Sequence, residues 1–198
     1  MGLVADLVAL GSATLGESGA RPLRPGLSPV WPGARAAGPV RPVRCAVGDN
    51  LEIHHAVAAA ATGEVLVAVV DGEPEHGWWG EVLTVAAMAR GVAGLVIDAC
   101  VRDSAAIAAR GFPVWSTGLA LPGARKVTRG QMGTPIVVRG TTVSPGDWVV
   151  ADEDGIVVID GDRLDAVRDA GRGRAEREAR MFEELGLGRT TIELLGLG

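Results

Sequence analysis

The chain has 198 residues, 47% of them hydrophobic and 22% charged, with a formal net charge of −5. That balance belongs to a globular chain long enough to bury a full core, and it excludes a disordered one. The acidic excess argues against a nucleic-acid partner, because phosphate binding needs concentrated Lys and Arg.

The first segment, MGLVADLVALG, lacks a basic leader, carries Asp6 and holds only a short apolar run. Neither a signal peptide nor a membrane span is expected from it. A short helix is expected over 3–10, followed by ARPLRPGLSPVWPGARAAGPVRPVR, in which proline removes backbone donors and fixes φ. Residues 1–44 therefore read as an irregular arm, extended and poor in helix. Cys45 and Cys100 are the only cysteines and both have apolar neighbours. Buried free thiols in a reduced, cytoplasmic protein are expected.

From residue 51 the pattern becomes regular. LEIHHAVAAAAT (51–62) reads as a helix stopped by Gly63, and EVLVAVVDG as a strand buried on both faces. GEVLTVAAMARG (80–91) is a second helix, AGLVIDA (93–99) a second buried strand, SAAIAARG a short helix and FPVWSTG the start of a third strand. Alternating strands and helices imply parallel strands joined by right-handed crossovers, with ligands bound at their C-terminal edges. Asp71, Asp98, the Gly77–Glu81 loop and the Arg102-Asp103 pair all fall at that edge. Farther on, WVVADEDGIVVI carries a hairpin signal turning at Asp154-Gly155. A charged helix is expected over 163–185, weakened by Gly171 and Gly173. The whole is expected to form one α/β domain over 1–198, with a three-layer β/β/α architecture, a parallel sheet at its core and a C-terminal helix.

No P-loop, GxGxxG, GxSxG or HExxH motif is present. With three histidines, metal chemistry would rest on oxygen ligands, favouring Mg2+ or Mn2+. Asp103 is either the N-cap of the helix that follows or such a ligand. Arg102 is an ion-pair partner or an oxyanion stabiliser. Glu81 stands in the first turn of its helix, where a carboxylate complements the dipole, and the amides around Glu81, Val82 and Leu83 suit a substrate carboxylate. Trp78 and Trp79 line a pocket or an interface. Lys126 is a loop lysine, solvated or functional. Asn50 is placed to cap the 51–62 helix, with His54 one turn in. Heptad steps from Leu164 through Gly171 reach Glu178 and Leu185, which sets a carboxylate on the apolar stripe of the last helix. A buried carboxylate needs a partner at a subunit contact or a metal, unless the glycines reset the face.

GDNLEIHHAV, GEVLVAVVDG, HGWWGEVLTVAAMARGVAGLVIDACVRD, GFPVWSTG and VSPGDWVVADEDGIVVI together resemble class II pyruvate aldolases. These are the 4-hydroxy-4-methyl-2-oxoglutarate / 4-carboxy-4-hydroxy-2-oxoadipate aldolases, which share their swivelling-type fold with the regulator of ribonuclease activity A. The resemblance covers about residues 38 to 197 and is most specific from Gly80 to Asp103; the Pro- and Arg-rich arm departs from it.

The resemblance implies roles for the site residues. Asp103 would bind the divalent metal, Arg102 would contact the pyruvyl oxygen and steady an enolate, and Glu81 would hold water of the metal's shell. Gly80 to Leu83 would supply amides to the substrate carboxylate, while Lys126, Asn50 and His54 match polar pocket positions. A glutamate from a neighbouring subunit's last helix, Glu178 by spacing or else Glu176, would complete the shell in a homotrimer or hexamer. The implied activity is cleavage of 4-hydroxy-2-oxo acids to pyruvate, with oxaloacetate decarboxylation as a side activity and a bound water as base. The alternative is a non-catalytic, protein-binding regulator on the same fold; a methyl transferase finds no glycine motif in its favour.

Overall fold

A computed structural model describes residues 2–197. The chain opens with α1 (Leu3–Gly16), β1 (Arg21–Pro22), β2 (Ser28–Pro29) and β3 (Ala36–Cys45). The strand–helix series follows: α2 (Leu51–Ala59), β4 (Val65–Val70), α3 (Glu81–Ala89), β5 (Gly94–Asp98), β6 (Cys100–Val101), α4 (Ser104–Ala109) and β7 (Val114–Ser116). Short strands come next: β8 (Gly118–Leu119), β9 (Gln131–Met132), β10 (Ile136–Val138) and β11 (Thr141–Val143). The hairpin β12 (Trp148–Ala151) and β13 (Ile156–Ile159) leads to α5 (Leu164–Gly186) and α6 (Thr191–Leu195).

Strand β3 organises the sheets. Val40–Cys45 pairs in parallel with β4, which pairs with β5, which pairs with β7. Its first half, Ala36–Pro39, pairs antiparallel with β12, the inner strand of the hairpin. One strand therefore belongs to both sheets. Period-two alternation then sorts the side chains into layers. Val65, Val67, Val96 and Trp115 of the parallel sheet meet Val149, Ala151, Ile156 and Val158 of the hairpin between the sheets. Leu66, Ala68, Leu95, Ile97 and Val114 face the other way, onto Ile53 and Val57 of α2, Leu83 of α3 and Ile107 of α4. The expected β/β/α stack holds, and α1 joins α5 on the outer face of the hairpin, around Leu7, Leu15, Val150, Val157 and Val167.

The N-terminal third departs from the irregular arm expected over 1–44. Helix α1 runs to Gly16, with a break at Gly11 (φ 76°, ψ 167°) where Asp152 accepts hydrogen bonds from the Ser12 amide and hydroxyl. Gly11 supplies the conformation and Asp152 restarts the helix. The sequence AAGPVRPVRC forms a buried ten-residue strand despite two prolines. Proline lacks only its own donor; its carbonyl still accepts, and Gly133 donates to that of Pro42. Gly38 allows a close crossing, since a Cβ there would lie 2.2 Å from the Gly63 carbonyl oxygen. In α5 the glycines do not break the helix. A Cβ on Gly171 would meet Leu10 and Leu15 at 3.2 and 3.3 Å, so its bare face is where α1 comes close. The ion pair Arg172–Asp6 ties the same two helices. No helix of the described residues is long and apolar enough to cross a membrane.

Candidate active site

The loop before α3 and the turn after β6 are laced together at the C-terminal edge of the parallel strands. The amide of Trp78 donates to Cys100 O at 3.2 Å, that of Arg102 to Trp79 O at 2.8 Å, and that of Gly77 to Pro122 O at 2.7 Å. Two glycines make this approach feasible. A Cβ on Gly77 would lie 2.8 Å from both Ala120 O and Arg102 Cδ, and one on Gly80 would lie 2.4 Å from Asp103 Oδ2. Trp78 and Trp79 are fully buried rather than at an interface. Trp79 stacks on Phe112 with centroids 5.8 Å apart and donates to Thr84 Oγ1 at 2.7 Å.

Asp103 is not a side-chain cap. It occupies the position before α4, but its backbone is left-handed (φ 59°, ψ 36°) and its carboxylate makes no capping bond. The carboxylate instead turns back to α3, where Oδ2 accepts from the Glu81 amide at 3.0 Å and lies 3.8 Å from Arg102 Nε. A non-glycine residue in this conformation costs on the order of 1 kcal/mol and persists where its surroundings demand it. The Glu81 amide is thus already engaged. The amides of Val82 and Leu83 lie in the first turn of α3 and have no intrahelical acceptor, while the carbonyls of Trp78 and Trp79 before the helix accept from Asn50 Nδ2 and the Arg102 amide.

Asn50, His54, Trp78, Trp79, Gly80, Val82, Leu83, Arg102, Asp103 and Lys126 line a cavity of about 140 Å³. Asn50 does not cap α2 with its side chain; it is buried and donates to Trp78 O at 2.8 Å, leaving Oδ1 without a partner. His54 Nε2 is likewise buried and unpartnered among the described residues. Burial, then the nearby charges of Lys126 and His55, hold the imidazole below its ordinary pKa and favour its neutral form. Lys126 is exposed, with Nζ 3.4 Å from Ala124 O. On the other side of the Arg102-Asp103 pair, a larger cavity of about 520 Å³ runs past Val101, Ala105, Ala106, Leu119 and Leu121.

Other expected groups go elsewhere. Glu81 accepts from Arg110 Nε and Nη2 at 3.1 and 2.6 Å. Asp71 pairs with Arg44 at 2.8 Å and Asp98 with Arg139 at 2.9 Å, so neither carboxylate is free. Glu178 pairs with Arg174, one turn back on α5, at 2.8 Å, and Glu176 is exposed. Neither glutamate lines either cavity. The helix stripe is buried at Val167 and Gly171 but only half-buried at Glu178.

Sequence reasoning passed over Asp49, whose buried carboxylate accepts from the amides of Leu51, Val127 and Thr128 at 3.0, 2.7 and 2.8 Å. Those bonds fix the loop that carries Lys126. The bond to Leu51 is an Asx turn, visible in principle as Asp two residues before a helix start. Glu52, buried on α2, holds Arg129 at 2.7 and 3.0 Å, a pairing across 77 residues that no local pattern announces.

Among the described residues no three His, Cys, Asp or Glu side chains gather as a metal cluster. Among the described residues, Asp103 Oδ1 makes no hydrogen bond or ion pair, and neither does Glu81 Oε2. A single carboxylate suits Mg2+ or Mn2+, which retain water and take chelating oxygens from a substrate; it does not suit zinc, which needs three or four protein ligands.

Fold and site define an α/β protein of the aldolase/regulator class. The family model described as "RraA-like: Aldolase/RraA" matches residues 5–158, and the chain belongs to that family. A protein of Halalkalibacterium halodurans named "Putative 4-hydroxy-4-methyl-2-oxoglutarate aldolase" is 32% identical over 155 residues, 78% of this chain and 74% of that one. An uncharacterized protein from Pseudomonas syringae pv. tomato superposes with a TM-score of 0.85 at 26% identity, covering 95% of this chain and 90% of the other. Streptomyces coelicolor RraAS2, described as an unusual member of the RNase ES inhibitor RraA family, superposes at 0.73 and 25% identity, with 94% and 96% covered.

Proposed function

We propose that this protein is a carbon–carbon lyase that cleaves 4-hydroxy-2-oxo acids of the 4-hydroxy-4-methyl-2-oxoglutarate type to pyruvate, and that decarboxylates oxaloacetate as a side activity. The observation carrying this reading is Asp103, held left-handed with its carboxylate against the start of α3, beside Arg102 and a small polar cavity. A helix cap would need neither the strain nor the glycines that accommodate it.

The substrate carboxylate lies against the amides of Val82 and Leu83, and the Arg102 guanidinium meets the 2-oxo oxygen. A water beside Arg102 takes the C4 hydroxyl proton, the C3–C4 bond breaks, and its electron pair becomes the C2–C3 double bond of pyruvate enolate. The C4 carbonyl product leaves and C3 is protonated. When oxaloacetate is bound, CO2 leaves and the same enolate forms. Arg102 faces the oxygen on which charge develops, and a preorganised donor of this kind is typically worth about 3 kcal/mol. Asp103 would hold Mg2+ or Mn2+, and the ion would supply Lewis-acid stabilisation of the 2-oxo group. Asn50, His54 and Lys126 orient the acid, Glu81 holds water, and Glu178 reaches the site from a neighbouring subunit in a trimer or hexamer.

The test is pyruvate release from 4-hydroxy-4-methyl-2-oxoglutarate, coupled to lactate dehydrogenase, with Mg2+, with EDTA and with Asp103→Ala. Activity that requires the ion and falls at least about 100-fold in the variant is expected. A folded, Mg2+-supplied protein inert toward both this acid and oxaloacetate would favour the regulator reading, which the near-complete superposition on RraAS2 supports.

A further inference from the structure

Lys126 is the only lysine among the chain's 19 Lys and Arg residues. Arginine is the cation everywhere else, so this position uses a compact ammonium that a planar guanidinium does not replace. The side chain lines the small cavity with Asn50 and His54. Yet it is carried by residues 120–130, which form neither helix nor strand between β8 and β9. A loop of that kind places a functional group only where a rigid element holds it.

The hold comes from the start of α2. Asp49 is fully buried, and its Oδ2 accepts from the amides of Val127 and Thr128 at 2.7 and 2.8 Å, 78 and 79 residues along the chain. Its Oδ1 accepts from the Leu51 amide, a bond that alone serves a helix start. Glu52 takes the next two residues, Arg129 through Nε and Nη2 and Gly130 through its amide at 3.0 Å. Before the lysine, the Arg125 amide donates to Gly48 O and the Arg125 carbonyl accepts from the Asn50 amide, both at 2.9 Å. Lys126 is thus flanked on both sides by residues bonded to the turn that carries Asn50 and leads to His54. All of these contacts lie within one chain.

We infer that Asp49 is a positioning residue for the proposed reaction: its carboxylate holds Lys126 in register with Asn50 and His54, so that the ammonium reaches the substrate acid. The inference rests on the proposed lyase reading and goes beyond it, because Asp49 lines neither cavity and acts only through Lys126. An aspartate that merely opened α2 would leave Oδ2 to water; here that oxygen takes two amides of the lysine's own loop.

The experiment is a double-mutant cycle on kcat/KM for 4-hydroxy-4-methyl-2-oxoglutarate with Mg2+, using Asp49→Ala and Lys126→Met, with circular dichroism reporting the fold. Lys126→Met is expected to lose about 100-fold and Asp49→Ala about tenfold or more. The double variant is expected to lose no more than Lys126→Met alone, because residues that act as a unit are not additive. A merely structural Asp49 would multiply its loss onto that of Lys126→Met. That outcome, or full activity in either single variant, overturns the inference and leaves the lyase reading intact. If Asp49→Ala does not fold, Glu52→Ala, which frees Arg129 and the Gly130 amide, enters the cycle under the same requirement. Wild-type protein inert toward both this acid and oxaloacetate overturns both.

Discussion

Asp103 reaches back to α3 across a gap that only glycine leaves open, so Gly80 sets the geometry of the proposed site without a side chain of its own. Gly80 is extended (φ −162°), a conformation any residue adopts, and what forbids a side chain there is the Asp103 oxygen 2.4 Å from its Cβ position. In Gly80→Ala the carboxylate must move, the Glu81 bond is lost, and groups positioned for reaction shift by roughly an ångström. Displacement of that size costs about 100-fold in rate. Pyruvate release by Gly80→Ala should fall accordingly while circular dichroism stays native; a variant with full activity would remove Asp103 from the chemistry. The residue types and spacing of Gly80, Arg102 and Asp103 were legible in the sequence. That Asp103 turns away from its own helix was not, because a left-handed aspartate and a capping aspartate look alike in one dimension. Arg110 was equally invisible, since its link to Glu81 exists only once α3 and α4 are packed.

Among the elements, β4, β5, α3 and α5 were read to within a residue or two, α2 ends at Ala59 where a helix to 62 was expected, and the failure at β3 has a specific cause. Pro39 and Pro42 argue against a strand when each residue is weighed alone. The fold avoids the penalty by giving β3 different partners along its length, β12 in its first half and β4 in its second. The two glycines of α5 make the complementary point, because one has a packing reason and the other does not. A Cβ on Gly171 would press on Leu10 and Leu15, whereas one on Gly173 would meet only the Arg177 guanidinium at 3.5 Å. Gly173→Ala should therefore stabilise the protein by up to about 1 kcal/mol through helix propensity. Gly171→Leu should destabilise it by about 1–3 kcal/mol by overpacking the α1–α5 seam. Urea denaturation measures both, and equal effects at the two positions would show that α1 does not close on α5 as described.

Taken as a whole, the molecule has titrating groups whose folded environments push in two directions, and together they bracket a range of pH. His54 is held low by burial and by Lys126 and His55. Burial opposes ionisation of Asp49, yet the amides of Leu51, Thr128 and Val127 together outweigh it, and Arg129 holds Glu52 low. In each case the unfolded chain binds a proton more readily than the folded one, so folding loses ground as pH falls. His54 begins to contribute below its unfolded value of about 6.5, and the two carboxylates below about 4. Cys45 has the opposite sign, since burial pushes its thiol up to about 12. Its contribution is complete below the unfolded value near 8.5 and is lost as pH rises beyond it. Stability should therefore form a plateau between about pH 7 and 8, with an acid shoulder from His54, a steeper fall from Asp49 and Glu52, and an alkaline decline from Cys45. Urea midpoints measured from pH 3 to 11 check the shape, and variants assign its limbs. His54→Gln should flatten the shoulder between pH 5 and 6.5 and Glu52→Gln part of the fall below 4, while Cys45→Ala, less stable at every pH because it leaves a cavity, should flatten the decline above 8.5. An alkaline limb unchanged in Cys45→Ala would show that the thiol is not protected by the sheet–α2 layer, and would question the packing on which the His54 side of the site depends.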